Sequence, residues 1–153
     1  MNIKIRDYRV EDKEDCTTAF HTNVPLYFTI EEVGKFDEWL AQSADKPHTH
    51  FYVICSDNKV LGCGGFVFVP ENNEIWLAWG LVHRQYHGQG FGKQLLQHRI
   101  KEIIAKYPGV PIKLDTTQHS FGFFKNYGFA VDAITENFYT PGLHRYDMSY
   151  RND

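Results

Sequence analysis

From Glu74 to Tyr107 the chain reads EIWLAWGLVHRQYHGQGFGKQLLQHRIKEIIAKY, and two different periodicities meet there across one glycine-rich turn. Ile75 to Val82 are almost all apolar, with two tryptophans and two β-branched residues, the pattern of a strand buried on both faces. Phe91, Leu95, Leu96, Ile100, Ile103, Ile104 and Tyr107 then recur at three- and four-residue steps. Lys93, Gln94, Gln97, Arg99, Lys101, Glu102 and Lys106 fill the other face, which predicts one long amphipathic helix.

Gly88, Gly90 and Gly92 alternate at the entrance to that helix. Without a Cβ, glycine permits positive φ and lets a ligand approach the main chain closely. A helix start adds unpaired N–H groups and the positive end of the helix dipole, so strand, glycine turn and helix start together make an anion site suited to phosphates. The same glycines also fit a purely structural turn that relieves crowding. Two phosphate motifs fail on spacing. A Walker loop needs one more residue than Gly88 to Gly92 provide, and Gln94 stands where it needs Ser or Thr. The dinucleotide fingerprint needs its third glycine one residue later than Gly92, in the first βαβ unit rather than mid-chain.

A chain of 153 residues with 42% hydrophobic and 16% aromatic residues fits one globular domain with a real core. A formal charge of −3 leaves no basic footprint and counts against nucleic acid or an anionic membrane as partner. Met1 to Arg6 alternates polar and apolar residues and lacks the apolar core of a signal peptide. No run approaches the roughly 18 residues of a spanning helix, so a cytosolic protein is expected. Cys16, Cys55 and Cys63 have no metal-ligand spacing and are expected to be free thiols acting as small hydrophobes.

In chain order, Ile3, Ile5 and Tyr8 start a first strand, and Asp12 begins an acidic helix carrying Cys16, Ala19 and Phe20. Pro25 breaks the chain, and Thr29-Ile30-Glu31-Glu32 is a capping box opening a second helix marked by Val33, Phe36, Trp39 and Leu40. Phe51 to Cys55 and Val60 to Val69 flank a turn at Asp57-Asn58-Lys59 and read as a hairpin. Beyond the long helix, Val110, Ile112 and Leu114 alternate as a fifth strand. A short helix over about Ser120 to Tyr127, a strand over Phe129 to Ile134, a loop over Glu136 to His144 and a last strand over Tyr146 to Tyr150 follow. This order predicts a mixed α/β sheet with helices on both faces.

Gln85-x-x-Gly88-x-Gly90, preceded by the Leu81-Val82 strand end and followed by the amphipathic helix, resembles the acetyl-CoA signature of the GNAT N-acetyltransferase superfamily. Phe123-Phe124-Lys125-Asn126-Tyr127-Gly128-Phe129 resembles that family's later block ending in Gly-Phe. The resemblance covers essentially the whole chain. It implies a mostly antiparallel mixed sheet of six to seven strands with about four helices, the fourth and fifth strands splayed apart. It also implies acetyl-CoA as co-substrate, a small-molecule or peptide amine as acceptor, no metal, and a possible homodimer. The diphosphate is expected on the amides of Gly88, Gln89, Gly90, Phe91, Gly92 and Lys93, and the pantetheine arm beside Leu81, Val82 and His83, with a main-chain N–H near Val82 assisting acyl transfer.

The chemistry implied is direct attack by a neutral amine, which must first lose the proton an alkylamine of pKa about 10 carries. Trp76 to Val82 holds no titratable group, so the base is sought among Glu74, Asp115, His119, Glu31 and Glu32, with His119 best placed, beside the expected acetyl site; a histidine also titrates in the useful range. The family's tyrosine acid falls at Phe124 and its usual asparagine at Thr117. A positioned acid is worth about a hundredfold to ten-thousandfold, while a CoA thiol of pKa about 8.5 leaves tolerably unaided. Tyr127 and Tyr139 are the candidates to take the acid's place, and the Pro25 to Phe28 and Glu136 to His144 segments are expected to flank the acceptor. Two alternatives to the enzyme stay open: a catalytically silent acyl-CoA-binding sensor, and a glycine turn with no ligand.

Overall fold

Alternate side chains of a strand point to opposite faces, and in the computed structural model, which describes residues 2–151, both faces of the sheet are covered by helices. Strand β2 (Thr49–Ser56) sends Phe51, Val53 and Cys55 to one face. There they meet Cys16, Ala19 and Phe20 of helix α1 (Lys13–His21) and Phe36 and Leu40 of helix α2 (Ile30–Gln42). Tyr52 points the other way, to Leu95, Leu96, Ile100 and Ile103 of helix α3 (Phe91–Lys106), a cluster joined by Phe121 and Phe124 of helix α4 (Phe121–Asn126).

The remaining strands are β1 (Ile3–Asp7), β3 (Lys59–Val69), β4 (Glu74–Val82), β5 (Ile112–Thr116), β6 (Phe129–Thr140) and β7 (Leu143–Tyr150), in the spatial order β1-β2-β3-β4-β5-β7-β6. Every pair of neighbours is antiparallel except β4 and β5, which run parallel. That parallel pair holds only at its start, Ile75 with Ile112 and Trp76 with Lys113, and the strands then part. The predicted mixed sheet and splayed fourth and fifth strands are both present.

Four expectations are corrected. Residues of β4 between Trp76 and Trp79 are only half-buried and Gly80 is exposed, because the departing β5 leaves one edge open. Arg99, expected on the solvent face of α3, is buried. It follows Leu95 by four residues and precedes Ile103 by four, so it lies on the apolar stripe. Ile104, expected within that stripe, is half exposed. The Glu136 to Tyr139 segment is no loop. It belongs to β6 as a bulged arch between the Thr135–Arg145 and Thr140–Leu143 pairs, with Asn137 at φ 56°. The Thr29 capping box forms as predicted, Thr29 Oγ1 accepting from Glu32 N–H and Glu32 accepting from Thr29 N–H.

Candidate active site

The open edge of β4 begins at a break in its other edge. Cys63 pairs with Leu81 but Gly65 with Ala78, so β4 carries a bulge, and Trp79 within it adopts φ 47°. A left-handed tryptophan is strained; its ring is held among Phe20, Phe28 and Phe36, with centroids 5.8, 6.4 and 5.3 Å away. Past the bulge, His83 N–H donates to Leu61 O on β3 at 2.8 Å. Peptide groups alternate along a strand, so the N–H and C=O of Val82 face the open V between β4 and β5. The Val82 carbonyl takes Asn23 Nδ2 at 2.9 Å and His87 Nε2 at 2.7 Å. A carbonyl only accepts, so Nε2 of His87 carries the proton. The Val82 N–H remains for the cleft.

Beyond His83, whose Nδ1 accepts from Gln85 N–H at 3.1 Å, a short 3-10 turn (Arg84–Tyr86) leads into the glycines. Gly88 and Gly90 stand at φ 79° and 85°, a conformation that glycine alone adopts freely. A Cβ at either would meet nothing within 4 Å. The glycines are therefore not there to relieve crowding; they turn the chain and leave open space in front of it. Gly90 is the N-cap of α3, so the N–H groups of Phe91, Gly92 and Lys93 have no intrahelical acceptor. Gly92 lies under the Phe123 ring, and Lys93 Nζ sits 5.7 Å from the centre of the Tyr127 ring. Free amides, a helix N-terminus and a glycine turn open to solvent fit a diphosphate, and no acidic side chain opposes it between Leu81 and Lys93.

The other arm of the V ends near His119, whose N–H donates to Thr117 Oγ1 at 3.2 Å. The Tyr27 ring bridges the mouth, 5.5 Å from the His87 ring and 6.5 Å from the His119 ring. Asp115, at the end of β5, accepts from the Tyr139 hydroxyl at 2.6 Å and lies 3.7 Å from Arg145. Burial first, and the Asp115 carboxylate next, push the Tyr139 hydroxyl well above the ordinary phenol range. Glu74 pairs with Lys113 at the opposite end of β4, eight residues or about 26 Å from Val82, and Glu32 is committed to its cap. Phe124 turns inward, edge-on to Phe129 at 5.8 Å, so no hydroxyl stands where the resemblance expects an acid. Sequence reasoning missed Asn23 and His87, which meet on Val82 from 59 and 5 residues away.

Among the described residues no group of three or more His, Cys, Asp or Glu could hold a metal ion, and no helix is long and apolar enough to cross a membrane. No curated protein sequence matches significantly. The structure superposes on a GNAT-family protein from Desulfovibrio desulfuricans with TM-score 0.84 at 18% identity, over 98% of this chain and 99% of that one. It superposes on the ribosomal-protein-S18-alanine N-acetyltransferase of Escherichia coli with TM-score 0.80 at 17% identity, over 97% and 93%. The PaiA N-acetyltransferase of Thermoplasma acidophilum, solved in complex with coenzyme A, gives 0.72 at 19%, over 99% and 100%. Residues 12–129 match the family model for the acetyltransferase (GNAT) family, and with that match, the parted β4 and β5 and the glycine cradle at α3, the chain belongs to that family.

Proposed function

We propose that the protein is an N-acetyltransferase that moves an acetyl group from acetyl-CoA to a primary amine of a small molecule or peptide. One observation carries the reading: the unpaired edge of β4 ends at a left-handed glycine pair that opens onto the free amides of α3. The amides of Gly88, Gln89, Gly90, Phe91, Gly92 and Lys93 would hold the diphosphate, with Lys93 adding charge, and Leu81, Val82 and His83 would line the pantetheine arm. Bound acetyl-CoA supplies an activated thioester carbonyl, the electrophile for the amine. A main-chain N–H near Val82, on the edge that faces the V, is the donor for the oxygen on which charge builds. His119 accepts the proton that the ammonium must lose. Tyr139 acts through Asp115, holding that carboxylate on the acceptor side, where it attracts a cationic amine.

The inward turn of Phe124 favours one second reading, an acyl-CoA-binding protein that does not turn over. Thiol release from acetyl-CoA across a panel of small amines and peptide N-termini separates the two. Release with any acceptor supports the transferase, and binding with no release supports the silent protein. Gly90→Val tests the cradle common to both. It fills the open space and forces valine into a left-handed conformation, so acetyl-CoA affinity should fall at least about tenfold while the fold loses roughly 1–3 kcal/mol. Unchanged affinity by calorimetry would place the diphosphate elsewhere.

A further inference from the structure

Arg99 projects from the middle of α3 toward the sheet and is 3% exposed, yet among the described residues no carboxylate accompanies it. Nη1 donates to Gly65 O at 3.2 Å, Nε has no partner, and among the described residues Nη2 has none. Burial lowers its pKa to about 10, so the guanidinium stays charged at neutral pH. Among the described residues, the one titratable group whose charge reaches it is the Cys63 thiol on β3, which burial keeps neutral. Natural cores rarely leave a cation so bare.

Glycine makes the room for it. A Cβ at Gly80 would come 2.6 Å from Nη2, and one at Gly64 would come 3.3 Å from Cζ. Gly80 is exposed and lies past the last β4–β5 pair, so the guanidinium sits directly beneath the β4 main chain at the edge of the V, on the α3 side of the sheet. Val82, two residues or about 7 Å along the strand, packs with Phe91 at the start of α3. A ligand following the β4 edge inward from the glycine cradle meets Gly80 and Arg99 next.

We infer that Arg99 is the cation that receives the thiolate of coenzyme A, supplying by charge what Phe124 cannot supply by proton donation. The inference rests on the acetyl-CoA reading above. In the transfer, the amine lone pair forms the C–N bond and the C–S bond breaks with its electron pair left on sulfur. The amine proton passes to the base. Sulfur thus departs as an anion, and a fixed guanidinium stabilises it without giving up a proton.

The test is calorimetric binding of CoA and of desulfo-CoA, in which hydrogen replaces the thiol, to wild type, Arg99→Met and Arg99→Lys. The pH range of about 6 to 9 brackets a free thiol near 8.5. A site that prefers the thiolate binds CoA more tightly as pH rises toward the free thiol's value, while desulfo-CoA shows no such rise. Wild type should gain about tenfold for CoA relative to desulfo-CoA and show thiolate ultraviolet absorbance at neutral pH. Arg99→Met should lose both signals but keep its desulfo-CoA affinity, and Arg99→Lys should keep both. Arg99→Met should also melt no lower than wild type, because it removes an unpaired buried charge. Equal binding of CoA and desulfo-CoA by wild type at every pH overturns the inference and leaves the cofactor reading standing. Binding of neither overturns both.

Discussion

Single side chains do the anchoring at the points where this fold departs from regularity. Asp12 is one. Its carboxylate takes Arg6 Nη1 and Nη2 at 2.7 and 2.8 Å and the Arg9 N–H at 2.9 Å, tying β1 to the short 3-10 turn before α1. The Arg6 guanidinium holds the Asp12 pKa below the usual carboxylate range. A depressed carboxylate contributes stability that is present above its unfolded value of about 3.9 and is lost as pH falls through the lower folded value. Asp12→Asn should therefore lower the urea midpoint at pH 7, and the gap to wild type should narrow as the pH falls below about 4. A gap independent of pH would mean that the charge contributes nothing. Asn23 is a second anchor, and it explains why the chain after α1 lies against the end of β4: its amide donates to both Ala19 O and Val82 O.

At the scale of elements, the informative feature is the β6 arch. Tyr139 donates to Asp115, Asn137 Oδ1 accepts from Gly142 N–H at 2.7 Å, and Gln118 bonds Gly142 O and His144 N–H at 2.6 and 2.9 Å. The β6–β7 hairpin is thus stitched to β5 and the segment after it. Tyr139→Phe removes one neutral donor to an exposed carboxylate, so stability should change by no more than about 1 kcal/mol. With the hydroxyl acting through Asp115, the loss should appear in KM for the amine. A fall in kcat of about a hundredfold at unchanged KM would instead make Tyr139 the acid.

Across the whole molecule, one core cluster couples helices α1 and α2 to the β4 arm of the V. Phe20 is fully buried and stacks on Phe28 and Phe36 at 4.5 and 4.8 Å while meeting Trp79 edge-on. It joins α1, the loop before α2, α2 itself and the β4 bulge. Phe20→Ala should destabilise the protein by about 3–5 kcal/mol. It should also release the left-handed Trp79, changing tryptophan fluorescence before the main unfolding transition in urea. A fully cooperative transition with native-like fluorescence up to the midpoint would show that the bulge is held by other contacts.

Strands, the α3 helix and its glycine entrance were legible because their signals are local: apolar alternation, a three- to four-residue period, and residues that tolerate positive φ. The Thr29 cap was legible for the same reason, all its partners lying within four residues. Arg99 was misread because a polar side chain on an apolar stripe is indistinguishable, by sequence, from one at its margin. What admits it to the core is the absence of side chains at Gly64 and Gly80, on strands distant in the chain. The caps on Val82 were invisible likewise, since hydrogen bonds from Asn23 and His87 require a particular closure of the chain. Local pattern and backbone sterics thus determined which elements form and where left-handed glycines open the turn before α3. Which charges are buried, which carbonyls are capped and how far β4 and β5 part were decided only when elements remote in sequence packed together, because burial and hydrogen-bond partnership belong to pairs of segments and not to either alone.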